Sequence, residues 1–184
     1  MRKVLALVGA VPPHRRLLSA TRWILNSRFS LGGIDRQLID LADQRMVRSN
    51  SSLAEGGRGA SPGVVRSVFN SDALIIAYPV HDAEVPEGLR NLLYHLPVAA
   101  VAAKPVGIVM MGGRHQYVRA VDWQLRNLLA RRGALIVPAS VRLTPADFET
   151  GLLAEDARQS LSNLADSVFK LMQVAPRPDA EPRL

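Results

Sequence analysis

Three apolar runs of the sequence are each followed directly by residues that can bind a ligand. Gly9 ends the first run, and its loop leads to His14, Arg15 and Arg16. A glycine turn before a helix exposes backbone N–H groups, and basic side chains add positive charge, so this loop has the character of a phosphate site. It lacks the Gly-Lys-Ser/Thr of a P-loop and the three glycines of a dinucleotide fingerprint. Three basic side chains on an ordinary surface turn remain the alternative.

A polar turn follows the second of these runs and consists of Pro79, Val80, His81, Asp82 and Ala83. At the carboxyl end of a strand, such a turn offers backbone N–H and C=O groups to a ligand in the crevice, as a flat heteroaromatic ring requires. His81 and Asp82 suggest proton transfer, but no serine nucleophile motif and no third partner accompany them. We therefore interpret His81 as a residue that lines a ligand or is simply exposed.

Paired glycines follow the third run. Gly112 and Gly113 have no side chains, so the backbone can approach the face of a ligand there, although such pairs also form ordinary turns. Arg114 and His115 come next, at the predicted start of a helix, where they could meet an anion or be solvated. The four histidines of the chain show neither i, i+4 nor His-Glu-x-x-His spacing, which argues against a metal site.

Nearly continuous apolar runs supply the framework that must position these residues. They read KVLALVG, ALIIAYP, PVGIVMMGG and GALIVPA, with a weaker run at IDRQLIDLA, and five helical stripes alternate with them. Runs without alternation are typical of strands that are covered on both faces. Five strands that alternate with five helices predict parallel pairing through right-handed crossovers. We therefore expect an α/β, three-layer, doubly wound sheet of order 2-1-3-4-5, with a ligand crevice at the carboxyl ends of the strands.

The length of 184 residues fits a single domain, which we place at residues 1–174, followed by a disordered tail at residues 175–184. The polar, glycine-rich stretch at residues 45–60 is predicted to be a surface loop. The absence of cysteine excludes thiolate catalysis, disulfides and cysteine-ligated zinc, and it favours the cytoplasm. The first apolar run ends at Pro12, so the run is too short for a membrane span.

The net charge of +7 comes from arginines that are scattered along the chain. No helix concentrates them, so the charge argues against nucleic-acid binding. A basic surface attracts anions such as phosphorylated cofactors, but the charge is better explained as a solvated surface that happens to use arginine. On helical wheels, Trp23 and Trp123 both lie opposite their own apolar stripes, which predicts that they point away from the core. Trp123, with Tyr94 and Tyr117 nearby, has the composition of a subunit interface.

Two blocks of sequence resemble the NADPH-dependent FMN reductases of flavodoxin-like fold, and most closely the flavin reductases that serve alkanesulfonate monooxygenases. SDALIIAYPVHDAEVPEGLRNLLYHLP resembles the third strand of that family, its flavin turn and the helix that follows. KPVGIVMMGGRHQYVRAVDWQLRNLLARRGALIVP resembles the fourth strand, the Gly-Gly flavin loop, the long helix and the last strand. The resemblance covers about residues 1–140 and implies a five-stranded flavodoxin-like sheet.

The resemblance implies an NAD(P)H:flavin oxidoreductase whose cofactors are FMN and NADPH or NADH. The flavin ring would lie against the turn at residues 79–83 and the loop from Gly112 to Arg114, with the FMN phosphate at the first loop. NADPH would stack on the exposed ring face and pass hydride to the flavin N5. Because the flavin carries the chemistry, no side chain is required as an essential acid or base. A homo-oligomer, dimer or tetramer, with Trp123 near the interface is implied too, as is transfer of reduced flavin to a partner oxygenase.

The first loop departs from the family pattern, which reads Gly-Ser-x-x-x-x-Ser-x-Thr/Ser. Here Ala10 follows Gly9, and the later hydroxyl positions fall among His14, Arg15 and Arg16. Arginine can replace the hydroxyl groups through charge-assisted bonds to the phosphate. A loop that no longer binds phosphate is the alternative.

The flavin turn departs from the pattern as well, since His81 replaces the family's tyrosine and the bulky Tyr78 precedes Pro79. Asp82 and Glu84 also place negative charge where reduced flavin would lie. These departures are consistent with weak or transient FMN binding. Two alternatives stay open: an FMN-retaining quinone or azo reductase, and a flavodoxin-like binding module without enzymatic activity. The choice between NADPH and NADH is not fixed by any residue.

Overall fold

The computed structural model describes residues 1–9, 14–30, 33–42, 61–148 and 151–176. The predicted surface loop at residues 45–60 lies outside these ranges, as does the predicted tail from residue 177 onward. Within them, strands and helices alternate from the first strand to the last helix, except that the last two strands follow one another directly.

Six strands form one parallel sheet of order β2-β1-β3-β4-β5, in which β6 also pairs with β4. This arrangement confirms the predicted order and the flavodoxin-like fold. β1, β3 and β4 are the central strands, and most of their residues are buried, as the continuous apolar runs indicated. The strands are β1 at Lys3–Val8, β2 at Asp35–Asp40, β3 at Ala73–Pro79, β4 at Pro105–Met111, β5 at Leu135–Ile136 and β6 at Val141–Leu143.

Helices cover both faces of the sheet and create two hydrophobic cores. One core lies between the sheet and the first and last helices, and the other lies between the sheet and the three middle helices. Each helix buries the apolar stripe that its sequence predicts. The helices are α1 at Arg15–Arg28, α2 at Pro62–Phe69, α3 at Glu87–His95, α4 at His115–Ala130 and α5 at Glu155–Val174.

Only the two residues of β5 form a strand within the predicted fifth strand, and β6 follows beyond the predicted run. β5 pairs with the start of β4, and the backbone N–H of Val137 extends this pairing by donating to the Val106 carbonyl over 2.9 Å. Pro138 follows, and it has no N–H to donate. Pairing with β4 resumes at Val141. The single continuous strand predicted from GALIVPA is therefore wrong in its extent, although its place in the sheet is right.

Arg126 of α4 satisfies the backbone between β5 and β6. Its guanidinium donates to the Val137 carbonyl over 2.9 Å and to the Ser140 hydroxyl over 2.7 Å. Asp122, one helical turn earlier, accepts from Arg126 Nε over 2.9 Å and from the Ser140 hydroxyl over 2.6 Å. A closed network of this kind replaces the missing ladder bonds and attaches α4 to the edge of the sheet.

Two local expectations need correction. Ser61 followed by Pro62 is a sequence pattern that predicts a capped helix start. The helix α2 does begin at Pro62, but the Ser61 side chain makes no capping hydrogen bond. The Ser61 carbonyl instead accepts the first helical bond, from Val65 over 3.0 Å. Trp23 does not point away from the core, because its large ring reaches round α1 and packs against the first core. Trp123 is 67% exposed, as its position on the helical wheel predicts.

Lys104 is fully buried immediately before β4. Its ammonium donates to the carbonyls of Val68 and, over 2.8 Å, Phe69, which lie at the carboxyl end of α2. A cation is favourable there, since the carbonyls of the last helical turn carry partial negative charge. Burial nevertheless lowers the pKa of Lys104 to about 8 from its ordinary 10.5, against an opposing effect of Asp72.

This lowered pKa predicts that the protein becomes more stable as the pH rises from about 8 to 10. In that window the unfolded chain still binds the proton that folded Lys104 releases, so the free energy of unfolding increases with pH, by about 2 kcal/mol in all. The window closes near pH 10, because burial raises the pKa of Tyr78 above its ordinary 10.0 and stability falls once unfolded tyrosine ionises. Urea denaturation across this range measures the slope.

Lys104→Met should abolish this increase, whereas Lys170→Met, which removes an exposed lysine from α5, should preserve it. Equal pH slopes in wild type and Lys104→Met would contradict the assignment.

Candidate functional site

The carboxyl ends of β3 and β4 and the start of α1 surround one cleft of about 440 Å³. Leu17, Met111 and Pro145 complete its lining and were not anticipated from the sequence. Because parallel strands end at the same edge of the sheet, residues that are far apart in the chain meet here. Most of the residues predicted to bind the cofactor line this cleft: His14, Arg15, Arg16, Pro79, Val80, His81, Gly112 and Gly113.

A second cavity of about 330 Å³ adjoins this cleft, and the two share Pro79 and His81. Gly9 and Asp82 line the second cavity and not the main cleft. Ala83 and Arg114 line neither of them. The Ala83 carbonyl accepts a hydrogen bond of 2.8 Å from Gln124 of α4, and Arg114 is exposed immediately before that helix.

The polar turn after β3 and the glycine pair after β4 are held against each other. The Val80 N–H donates to the Met111 carbonyl over 2.9 Å, and the Gly112 N–H donates to the Leu143 carbonyl over 2.7 Å. Gly113 has a φ of +77°, and a Cβ there would lie 2.6 Å from Cγ1 of Val80. The absence of a side chain at Gly113 therefore lets the two loops touch, which is a role in loop packing that the sequence did not reveal.

Gly9 is required by packing as well. A Cβ at this position would lie 2.8 Å from the Leu89 Cβ on α3, so β1 can end beside that helix only with glycine. The Gly9 N–H donates to the Ala77 carbonyl over 2.8 Å, which continues the pairing of β1 with β3 beyond the strand. Gly9 thus sets the close approach of α3 to the sheet at one wall of the second cavity.

The start of α1 is strongly basic. No acidic residue occupies the first helical turn, no side chain caps the helix, and Arg15 and Arg16 are exposed there. His14 precedes the helix and bonds through Nε2 to the Asp40 carboxylate over 2.5 Å. Asp40 ends β2, and its contact with His14 was not anticipated from the sequence, although the carboxyl end of a neighbouring strand is where such a partner would be sought.

The acidic residues at the turn after β3 are partly compensated. Asp82 accepts the Glu84 N–H over 3.1 Å, and Glu84 forms an ion pair with Arg90 over 3.1 Å. The negative charge expected at this turn is therefore smaller than the sequence alone indicated.

Tyr78 does not enter the cleft. It packs in the core on the α3 and α4 side of the sheet, and its hydroxyl has no hydrogen-bond partner among the described residues. Burial, together with the nearby charge of Asp122, raises the pKa of Tyr78. The large side chain of Tyr78 therefore fills the core and does not occupy the cleft that Pro79 lines.

Two further side chains reach the cleft loops from neighbouring elements. Arg142, at the middle of β6, donates to the Gly113 carbonyl over 2.8 Å, and Gln124 of α4 holds the Ala83 carbonyl. Neither could be recognised from the sequence, because both contacts depend on how β6 and α4 pack against the loops. Across the described ranges, no group of three histidine or acidic side chains is placed to hold a metal ion.

Comparison with known proteins agrees with this architecture. The sequence model of the family described as NADPH-dependent FMN reductase matches residues 2–148. An FMN reductase (NADPH) from Pseudomonas aeruginosa is 24% identical over 163 residues, which is 89% of this chain and 88% of that protein. The NADH-dependent FMN reductase SfnF from Pseudomonas fluorescens is 27% identical over 146 residues, which is 79% of this chain and 78% of that protein.

Solved structures show the same fold. The apo form of the NADH:FMN oxidoreductase EMOB superimposes with a TM-score of 0.74 at 21% identity. The superposition covers 100% of this chain and 97% of the EMOB chain. An oxidoreductase from Corynebacterium diphtheriae gives a TM-score of 0.72 at 17% identity, covering 95% and 98%. A flavodoxin from an archaeon gives 0.63 at 11% identity, covering 92% and 98%.

No helix in the described parts of the chain is long and apolar enough to cross a membrane. The fold and the match over residues 2–148 agree with the two blocks of sequence that resemble the same family. The chain therefore belongs to the NADPH-dependent FMN reductase family and is an NAD(P)H-dependent oxidoreductase that reduces FMN.

Proposed function

We propose that FMN binds in the cleft of about 440 Å³, with its ring between the turn at residues 79–83 and the glycine pair, and its phosphate at the start of α1. The observation that carries this proposal is that the turn after β3, the glycine pair after β4 and the start of α1 line one cleft. The turn and the glycine pair can offer backbone groups, and the start of α1 offers basic side chains, so the cleft has a polarity that matches the two ends of FMN.

The residues present are suited to a flavin mononucleotide. The volume lies within the range of small-molecule sites, and the lining combines apolar groups such as Met111 and Val80 with the basic residues of α1. The first turn of α1 has no acidic residue that would repel a phosphate. Gly9 and Asp82, on the adjoining cavity, and Ala83 and Arg114, next to the loops, complete the proposed binding set.

Bound FMN supplies the redox chemistry, because its ring takes up hydride from NAD(P)H. The protein's contribution is to orient the ring and leave one of its faces accessible. The closely packed pair of Val80 and Gly113 fixes the separation of the two loops, and Arg142 supports the Gly113 carbonyl from the side. His81 is exposed and reaches both cavities, where it can contact the ring or the nicotinamide nucleotide without acting as an acid or base.

The proposal extends to a loosely held flavin that, once reduced, passes to a partner oxygenase or another acceptor. The accessibility of the site supports this, because Arg15, Arg16, His81 and Asp82 are all exposed. An FMN-retaining quinone or azo reductase is the second candidate, and it requires a flavin that remains bound through purification. We place either activity in the cytoplasm, which the cysteine-free composition favours.

We also propose that the chain forms a homo-oligomer through the outer faces of α3 and α4. Trp123 and Tyr94 are 67% and 61% exposed, and they line a groove of about 610 Å³ with Val98, Leu128 and Arg131. Exposed aromatic residues beside arginine are enriched in subunit interfaces. Gln124, next to Trp123, bonds to the flavin turn, so this surface, which we call the Trp123 surface, is connected to the site.

The first experiment titrates the purified protein with FMN by flavin fluorescence and then follows NADPH and NADH oxidation at 340 nm with and without added FMN. We expect binding, and turnover that requires added FMN. Turnover without added FMN, in protein purified with its flavin, would favour the quinone or azo reductase. Neither binding nor turnover with FMN, FAD or riboflavin would contradict the proposed site.

Gly113→Ala should weaken FMN binding about tenfold or more and lower the free energy of unfolding by about 2 kcal/mol relative to Gly112→Ala. The two glycines have nearly equal φ angles, +76° and +77°, so the backbone cost cancels in the comparison. A Cβ on Gly112 has its nearest neighbour at 3.8 Å, whereas a Cβ on Gly113 collides with Val80. Equal effects of the two substitutions, by fluorescence titration and urea denaturation, would show that the loop contact is unimportant.

Trp123→Ala should shift the oligomer toward smaller species, as measured by size-exclusion chromatography with light scattering. Leu152→Ala is the matched control, because Leu152 is 66% exposed and does not line the Trp123 surface. A monomeric wild-type protein, or an unchanged oligomer in Trp123→Ala, would argue against this interface.

A further inference from the structure

The beginning of α1 has an unfavourable arrangement of charge in the protein alone. Arg15 and Arg16 lie in its first turn, where the N–H groups of the helix already carry partial positive charge. No acidic side chain balances them in that turn, and no capping side chain accepts a helical N–H. A negatively charged ligand could balance this charge and accept the free helical N–H groups. The contacts of the neighbouring His14 bear on whether such a ligand binds here.

His14 and Asp40 form a pair that is about nine-tenths buried at this helix start. The side chains are 10% and 8% exposed, and His14 Nε2 lies 2.5 Å from Asp40 Oδ2. An ionised carboxylate only accepts hydrogen bonds, so Nε2 carries the proton and donates it. The other carboxylate oxygen, Oδ1, accepts the Ala42 N–H over 3.0 Å, which fixes Asp40 against its own strand end.

The second ring nitrogen of His14 is left without a partner. Nδ1 is buried and makes no hydrogen bond to any described residue. A buried nitrogen without a partner destabilises a protein, and a ligand that hydrogen-bonds to it removes that cost. His14 lines the main cleft together with Arg15 and Arg16, and an imidazole whose Nε2–H is held by a carboxylate can carry a second proton on Nδ1 and donate it.

We propose that Asp40 is a positioning residue for the phosphate of FMN, which acts by fixing His14 so that Nδ1–H donates to a phosphate oxygen. This inference rests on the proposed function and adds to it a specific donor and the residue that orients it. The His14 and Asp40 pair takes the place of the hydroxyl groups that the family pattern has in this loop. It also makes the site selective for a flavin that carries a phosphate monoester over one that lacks it.

The test compares FMN with riboflavin, which has the same ring and no phosphate. Dissociation constants for both are measured by fluorescence titration on wild type, Asp40→Asn and His14→Gln. The amide introduced by Asp40→Asn keeps an oxygen for the Ala42 N–H but lacks the charge that holds His14. Asp35→Asn is the matched control, because Asp35 begins the same strand, far from the cleft, and contacts Lys3 on the surface.

We expect wild type and Asp35→Asn to prefer FMN over riboflavin. Asp40→Asn and His14→Gln should lose about tenfold or more of that preference, with riboflavin affinity unchanged. His14→Gln keeps the test valid if Asp40→Asn does not fold. A merely structural role would weaken both flavins alike, and that result would overturn the inference.

Three other outcomes have distinct meanings. An unchanged FMN preference in both variants would overturn the inference and leave the proposed function intact. Equal affinity of wild type for FMN and riboflavin would overturn it too, because no phosphate recognition would then exist to explain. Failure of wild type to bind either flavin would reject the proposed site itself, and the inference with it.

Discussion

Parallel pairing of the three central strands is the constraint on which the rest of the molecule depends. β1, β3 and β4 run in one direction in adjacent positions, so the loops that follow them are forced to one edge of the sheet. Residues that follow these strand ends closely can then contribute to a shared cleft when their side chains are suited to a ligand. The helices serve this arrangement by burying both faces of the sheet, which fixes the strand ends as a rigid base.

Much of this could be predicted because burial on both faces leaves a plain signal in the sequence. The runs of β1, β3 and β4 are nearly all apolar, and the periodic stripes of the helices between them indicate the crossovers. The strand order and most of the cleft lining follow from those signals. The break between β5 and β6 does not, since it depends on Arg126 of a different element reaching the backbone beside Pro138.

Several contacts could not be read from the sequence. Trp23 is large enough to reach round α1, so its position on the helical wheel does not determine what its ring contacts. Tyr78, in contrast, lies on the same face of β3 as Leu74 and Ile76, so the alternation of the strand already places it in the core. Asp40 acquires its role through His14, which lies 26 positions away in sequence. Gly113 and Gly9 are typical of ligand loops, and their missing side chains also make room for Val80 and Leu89. Such roles arise from packing between distant segments.

The shortness of β5 has a consequence for how the protein meets other chains. A long strand at the margin of a sheet offers a row of free backbone groups to which a foreign strand can add, and this is a common route to aggregation. Here that margin is interrupted, because the two residues of β5 are followed by the Val137 carbonyl and, after Pro138, by the Ser140 hydroxyl, both already bonded to Arg126, before the three residues of β6 begin. Neither short strand offers a long row of backbone groups to a foreign strand, so the interruption disfavours edge-to-edge polymerisation.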